Sequence, residues 1–278
     1  MAHLLPASLS CFSVLLPVRR RCCVRSASPR WKPRPRDTLV KNMSAQEINR
    51  GLLVQGISPP LRLGDFKLIA FDMDSTLINI ECVDEIADAV GRKAQVAAIT
   101  EAAMRGEIAD FKDSLRRRVA LLKGVPLASM EAVYRERLRL NPGAAELVAR
   151  CKDSGMKVLL VSGGFTFFTD RVRDLLAIDY TRSNVLEIQD GVLTGQLIDQ
   201  PWGDICDGAE KRRMLLQTCA QMGISPKQAI AVGDGANDLP MMGEVGLSVA
   251  YHAKPKVREQ AMVAINSGGL DRLLEILK

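Results

Sequence analysis

Short apolar runs recur along the chain, and three of the four stop at a cluster of acidic, hydroxyl or glycine residues. Residues 67–72 (KLIAFD), 157–162 (KVLLVS), 228–232 (QAIAV) and 246–250 (GLSVA) are too short for buried helices and do not alternate with polar positions. Continuous apolar runs of this length mark strands of a parallel sheet covered on both faces. Between them, residues 143–154, 166–176 and 208–222 repeat apolar positions at helical spacing. Strands alternating with helices predict an α/β fold, a doubly wound Rossmann-like parallel sheet.

Two stretches depart from the alternation. From residue 81 to residue 140 only helical patterns occur, over 83–90, 93–104 and 111–122, which predicts a small helical cap inserted after the first strand. Residues 184–197 predict a hairpin turning at Asp190-Gly191. The expected organisation is a disordered leader (1–42), an approach segment (43–66), a core (67–80 and 141–278) and the cap (81–140).

Charge changes this picture only at the start of the chain. The formal net charge is +6, yet residues 1–42 hold nine Lys or Arg against one acid, which leaves 29 basic and 31 acidic residues beyond. A near-neutral body without aromatic-interleaved basic patches points away from nucleic acid. Seven scattered cysteines without a CxxC pair, and only two histidines, point away from zinc and from a disulfide framework. The apolar stretch 4–18 is broken by Pro6 and Pro17 and is too short to span a bilayer, so no membrane partner is expected. Its arginines follow the apolar run, the reverse of a secretory signal. The leader's Arg-rich, acid-poor composition suits an organelle transit peptide. The prolines of residues 29–36 break any amphipathic targeting helix, and translation from Met43 is the reading adopted, with a cytoplasmic monomer or homodimer as the expected product.

In doubly wound sheets ligands bind beyond the carboxyl ends of the strands. There the chain places Asp72-Met73-Asp74-Ser75-Thr76, then Ser162-Gly163-Gly164, then Gly233-Asp234-Gly235-Ala236-Asn237-Asp238. Four carboxylates converging at one sheet edge cannot all stay ionised without a cation. Oxygen-only donors select a hard ion, and Mg2+ suits a site completed by phosphate oxygens. The two glycines after Ser162 leave backbone N–H groups open to an anion, and Lys211 at the start of a helix adds fixed positive charge. Taken alone, DxDxT could be a loop with a helix cap; the three clusters in order at three strand ends favour a phosphate-handling site.

DMDST, SGG, Lys211 and GDGAND together resemble the four motifs of the haloacid dehalogenase superfamily, in order from residue 67 onward. The details are most similar to members that hydrolyse O-phospho-L-serine, which carry a small helical cap at the same place. The resemblance implies that Asp72 is the nucleophile and Asp74 the general acid and base. It implies that Mg2+ is held by Asp72, the main-chain carbonyl of Asp74 and Asp234, with Asp238 orienting that set. Ser162, Gly163, Lys211 and Asn237 would meet the phosphoryl group or water. In the cap, Glu81 would receive the substrate ammonium and Arg118 its carboxylate, with Met104 and Phe111 closing the lid. Without the resemblance, Arg116 to Arg118 read equally as a solvated helix face, Glu81 as a helix-start acid, and Met104 and Phe111 as cap core. The implied reaction yields L-serine and phosphate, the last step of phosphorylated serine synthesis. A second reading is another small phosphate such as phosphohomoserine, and a third is a noncatalytic receiver-like module.

Overall fold

The computed structural model describes residues 45–278 except residues 106 and 109, with Met104 described by its backbone alone. The leader (1–42) and the lid role of the Met104 side chain therefore lie outside the described residues. In chain order the elements are β1 (Gln46–Asn49), β2 (Leu52–Val54), β3 (Leu68–Phe71), α1 (Cys82–Ala89), α2 (Lys93–Met104), α3 (Phe111–Ala120) and α4 (Leu127–Ala132). There follow α5 (Ala144–Asp153), β4 (Lys157–Phe165), α6 (Thr166–Leu176), β5 (Tyr180–Gln189), β6 (Val192–Ile198) and α7 (Gly208–Gln221). The chain ends with β7 (Ala229–Gly233), α8 (Leu239–Met242), β8 (Leu247–Tyr251), α9 (Pro255–Gln260) and β9 (Val263–Ile265).

One sheet runs in the order β1-β2-β9-β8-β7-β3-β4-β5-β6, parallel from β9 to β5 and antiparallel at both ends. Each central strand is buried on both faces, which is why its sequence does not alternate. Ile69 and Phe71 pack on one side with Leu160 and Val232, while Leu68 and Ala70 pack on the other with Leu159 and Ala231. The four expected strands are β3, β4, β7 and β8. Beyond the sequence reading, the segment before residue 66 contributes the β1–β2 hairpin, and β9 adds a further parallel strand beside β8. The first strand of the expected 184–197 hairpin begins earlier, at Tyr180, and pairs with β4 from Leu159 and Tyr180 to Phe165 and Asn184.

Four helices intervene between β3 and α5, and the chain enters and leaves them side by side. Asn79 N–H donates to Arg139 O at 3.0 Å, and Arg139 N–H donates back to Asn79 Oδ1 at 2.7 Å. The Asn141 amide spans both legs by donating to Thr76 O and Ile78 O. A second attachment joins the insertion to the hairpin: Gly124 N–H donates to Leu193 O, Leu193 N–H to Val125 O and Leu127 N–H to Gly191 O, at 2.8–2.9 Å.

Candidate active site

The parallel ladder carries Asp72 to the sheet edge, its own N–H still donating to Val232 O at 3.0 Å. One carboxylate oxygen then accepts the Met73 N–H at 2.7 Å, capping the turn that follows. In that turn Asp74 is extended and Ser75 adopts φ +56°, a left-handed conformation that folds the chain back so that Ser75 N–H reaches Ile80 O. The reversal sets Asp74 against the start of α1. Its two oxygens accept the Cys82 N–H at 3.2 Å and the Cys82 thiol at 3.1 Å. Ser75 Oγ donates to Glu81 Oε1 at 2.7 Å, which brings a second carboxylate beside Asp74. Burial first, and then the Glu81 charge, push the Asp74 carboxyl up to about 7.

The β7 end supplies Asp234 and Asp238. Asp238 Oδ2 accepts the N–H groups of Asp234 and Gly235 at 3.2 and 3.0 Å, folding the loop around its own carboxylate. Glycine is required at 233, where an added Cβ would lie 2.4 Å from Asp238 Cγ. From α7, capped by Asp207 on the Glu210 N–H, Lys211 enters fully buried. Its Nζ stands 2.8 Å from Asp72 Oδ1 and 2.7 Å from Asp238 Oδ1. Burial alone would lower the Lys211 ammonium, and the two carboxylates override it and hold the group above its usual range. Asp72 is nevertheless raised, by burial first and then by the Asp238 charge, because the three carboxylates of Asp72, Asp234 and Asp238 face this single lysine.

Oxygens of Asp72, Asp234 and Asp238 lie within 4.8 Å of one another, an all-oxygen set carrying surplus negative charge that fits a hard divalent cation. Asp238 spends both oxygens on Lys211 and the loop amides, so Asp72 and Asp234 are the carboxylates that could turn an oxygen toward an ion. This balance carries a pH dependence. Burial, and then the charges of Asp238 and Glu81, push Asp234 up to about 7. A carboxyl raised in the fold contributes its stability below its unfolded value near 4, and loses it as pH rises through about 7. Added divalent cation offsets that loss and competes with protons below it. The rise in Tm on adding the ion is therefore expected to be larger at about pH 8 than at about pH 5.5. Thermal unfolding in chelated and cation-supplemented buffer checks this, and a pH-independent rise would place the ion elsewhere.

The β4 end closes the site. Ser162 Oγ accepts the Gly164 N–H at 2.9 Å, and the ring of α3 residue Phe111 overhangs Gly163, where a Cβ would lie 3.1 Å from Phe111 Cζ. Asn237 is half-buried in the β7 loop. Along α3, Arg116 and Arg117 are exposed whereas Arg118 turns inward, with its Nε buried and without a hydrogen-bond partner among the described residues. Burial holds the Arg118 guanidinium below its usual value against the opposing charges of Asp84, Glu81 and Asp74, so arginine and carboxylates share one electrostatic neighbourhood. Two site residues escaped the sequence reading. Asn184 donates to Gly163 O and accepts the Cys206 N–H, both at 2.8 Å, tying the SGG end of β4 to the loop before α7. Cys82 holds Asp74. Asn184 pairs in parallel with Phe165 at the end of β4, a position that would have drawn attention had β5 been read as a core strand.

A family model described as haloacid dehalogenase-like hydrolase matches residues 66–246. The chain is 79% identical over 236 residues to a phosphoserine phosphatase of Polaromonas sp., covering 85% of this chain and all of that one. Two solved structures of phosphoserine phosphatase, a phospho-aspartyl intermediate analogue and a substrate-bound complex, each superpose with a TM-score of 0.70 at 38% identity. Each match covers 77% of this chain and 99% of the other. Sequence match, sheet order and the acidic edge agree: the chain belongs to the haloacid dehalogenase-like hydrolases, in the group of the phosphoserine phosphatases.

Proposed function

We propose that the protein is a magnesium-dependent phosphatase that hydrolyses O-phospho-L-serine to L-serine and phosphate through an aspartyl phosphate on Asp72. The observation that carries the substrate choice is the inward Arg118 with its unpartnered Nε, in the same electrostatic neighbourhood as Glu81 and Asp74. An arginine fork suits a carboxylate, and a carboxylate suits an ammonium, so this pair supports a phosphorylated amino acid.

In the first displacement an Asp72 oxygen forms a bond to phosphorus while the bond from phosphorus to the seryl oxygen breaks, and the Asp74 carboxyl hands its proton to that oxygen. Water then attacks phosphorus, Asp74 takes its proton, and the bond to Asp72 breaks. A carboxyl near 7 serves both steps, because neither protonation state is costly at neutral pH. Glu81 contributes to that value, and an ammonium beside Glu81 would offset its charge and make Asp74 a readier donor. Lys211 opposes charge on the phosphoryl group, Ser162 and Gly163 with Asn237 receive its oxygens, Asp238 keeps Lys211 oriented, and Phe111 excludes water. Asp72, Asp234 and the main-chain carbonyl of Asp74 would hold magnesium, which when bound supplies positive charge against the phosphoryl oxygens.

No helix among the described residues is long and apolar enough to cross a membrane. A cytoplasmic role as the final step of L-serine synthesis is part of the proposal. The test is phosphate release from O-phospho-L-serine with and without magnesium, beside phosphohomoserine, O-phosphoethanolamine and phosphoglycolate. A preference for substrates lacking the amino or carboxyl group would overturn the reading, and a preference for phosphohomoserine would move it to that neighbour. Asp74→Asn is expected to slow O-phospho-L-serine turnover by about 10²–10⁴-fold. The loss should be smaller for p-nitrophenyl phosphate, whose leaving group needs no proton, and equal losses would remove Asp74 from the acid role.

A further inference from the structure

The stretch WGDICDG ahead of Lys211 has no part in the chemistry above, yet it reaches the cap. It is a tight loop, with Gln200 and Gly203 exchanging backbone hydrogen bonds at 2.8 and 2.9 Å. Trp202 lies under the Arg182 guanidinium at 5.3 Å and accepts from Arg213 through its main-chain oxygen, while Asp207 caps α7. The loop is thus continuous with the helix that delivers Lys211. From it Asp204 extends both oxygens to α3: Oδ1 to Lys112 Nζ and Oδ2 to Arg116 Nη2, each at 2.6 Å. Lys112 also stands 3.9 Å from Asp207. The Lys112 hydrogen bond holds Asp204 down to about 2, so it is ionised throughout the working range.

Lys112 and Arg116 lie one turn apart on α3, between Phe111, which overhangs Gly163, and Arg118, which turns inward. Arg117 pairs instead with Asp113 of its own helix and, among the described residues, makes no ion pair across the boundary. One carboxylate on the α7 side therefore joins two residues of α3 to the loop that runs into the helix carrying Lys211.

We propose that Asp204 is a positioning residue that clamps α3 through Lys112 and Arg116, and so fixes the reach from Arg118 to the phosphoryl centre by which substrates are selected for length. This rests on the reading of Arg118 as the carboxylate partner. Partly exposed ion pairs shift an equilibrium by a factor of about two to five, and two on one carboxylate set the expected size.

In Asp204→Asn the KM for O-phospho-L-serine should rise about three- to tenfold, with kcat changed by less than about twofold. The KM for O-phosphoethanolamine, which has no carboxylate, should stay as in the unaltered protein, and the discrimination against phosphohomoserine should narrow. Raising the salt should move the unaltered protein toward the variant. Combining Asp204→Asn with Lys112→Met should add less than the sum of the two. Equal KM increases for both substrates, additive effects, or no change would each overturn the clamp. Should the unaltered protein show no preference for a carboxylate, the functional reading fails and the clamp is judged by hydrogen exchange. Amides of 112–120 should then exchange faster in Asp204→Asn while those of β3 and β7 do not, and unchanged exchange over 112–120 overturns it.

Discussion

Asp72→Asn is expected to remove phosphate release from O-phospho-L-serine by a factor on the order of 10⁴ or more, because an amide in place of the carboxylate cannot form the phosphorylated intermediate. Shape is kept: asparagine can still accept the Met73 N–H that caps the turn. Stability should move the other way. Asp72 is one of three carboxylates facing one lysine, so neutralising it relieves repulsion, and the cation-free variant should melt no lower than the unaltered protein. Activity and Tm measured on the same samples decide the matter. Retained turnover would remove Asp72 from the nucleophile's place, and a collapsed Tm would show that its charge is structural.

The second large effect belongs to Lys211. Its side chain is fully buried, with Nζ within 2.8 Å of both Asp72 and Asp238. Lys211→Met keeps most of the volume and leaves those carboxylates without their buried counter-ion, a loss of about 3–5 kcal/mol. For a fold of this size that corresponds to a fall in Tm of roughly 6–20 °C. The measurement is thermal unfolding in chelated buffer. Adding Asp72→Asn to Lys211→Met should recover part of the loss, since one uncompensated charge is then gone; no recovery would mean that Lys211 stabilises by packing rather than by charge.

How much of this was legible in advance follows the range of the forces involved. β3, β4, β7 and β8 were readable because burial on both faces writes itself into a continuous apolar run. β1 (QEIN, with only Ile48 half-buried) carries no such run and is held by the adjacent β2 as a hairpin. β9 does lie in a continuous apolar run, residues 261–265 (AMVAI), and it is its pairing with β2, distant in sequence, that no local pattern shows. β5 opens with the polar residues YTRSN, so its place beside β4 was hidden and Asn184 with it. The acidic motifs stood out because such residues make poor core. Arg116, Arg117 and Arg118 are chemically identical in the sequence, and it is the packing of α3 that turns only the last of them inward. The contact between Cys82 and Asp74 depends on the left-handed Ser75, a conformation that no local pattern announced.

The adjacent legs at Asn79 and Arg139 have a consequence for how substrate range can change. A module whose two ends meet can be exchanged as a cassette, with the catalytic edge left untouched. The three backbone bonds to Gly191 and Leu193 qualify that freedom. Grafting the helices alone would strand those partners, so the portable unit comprises two pieces, the helices and the hairpin tip, which must be inherited or engineered together.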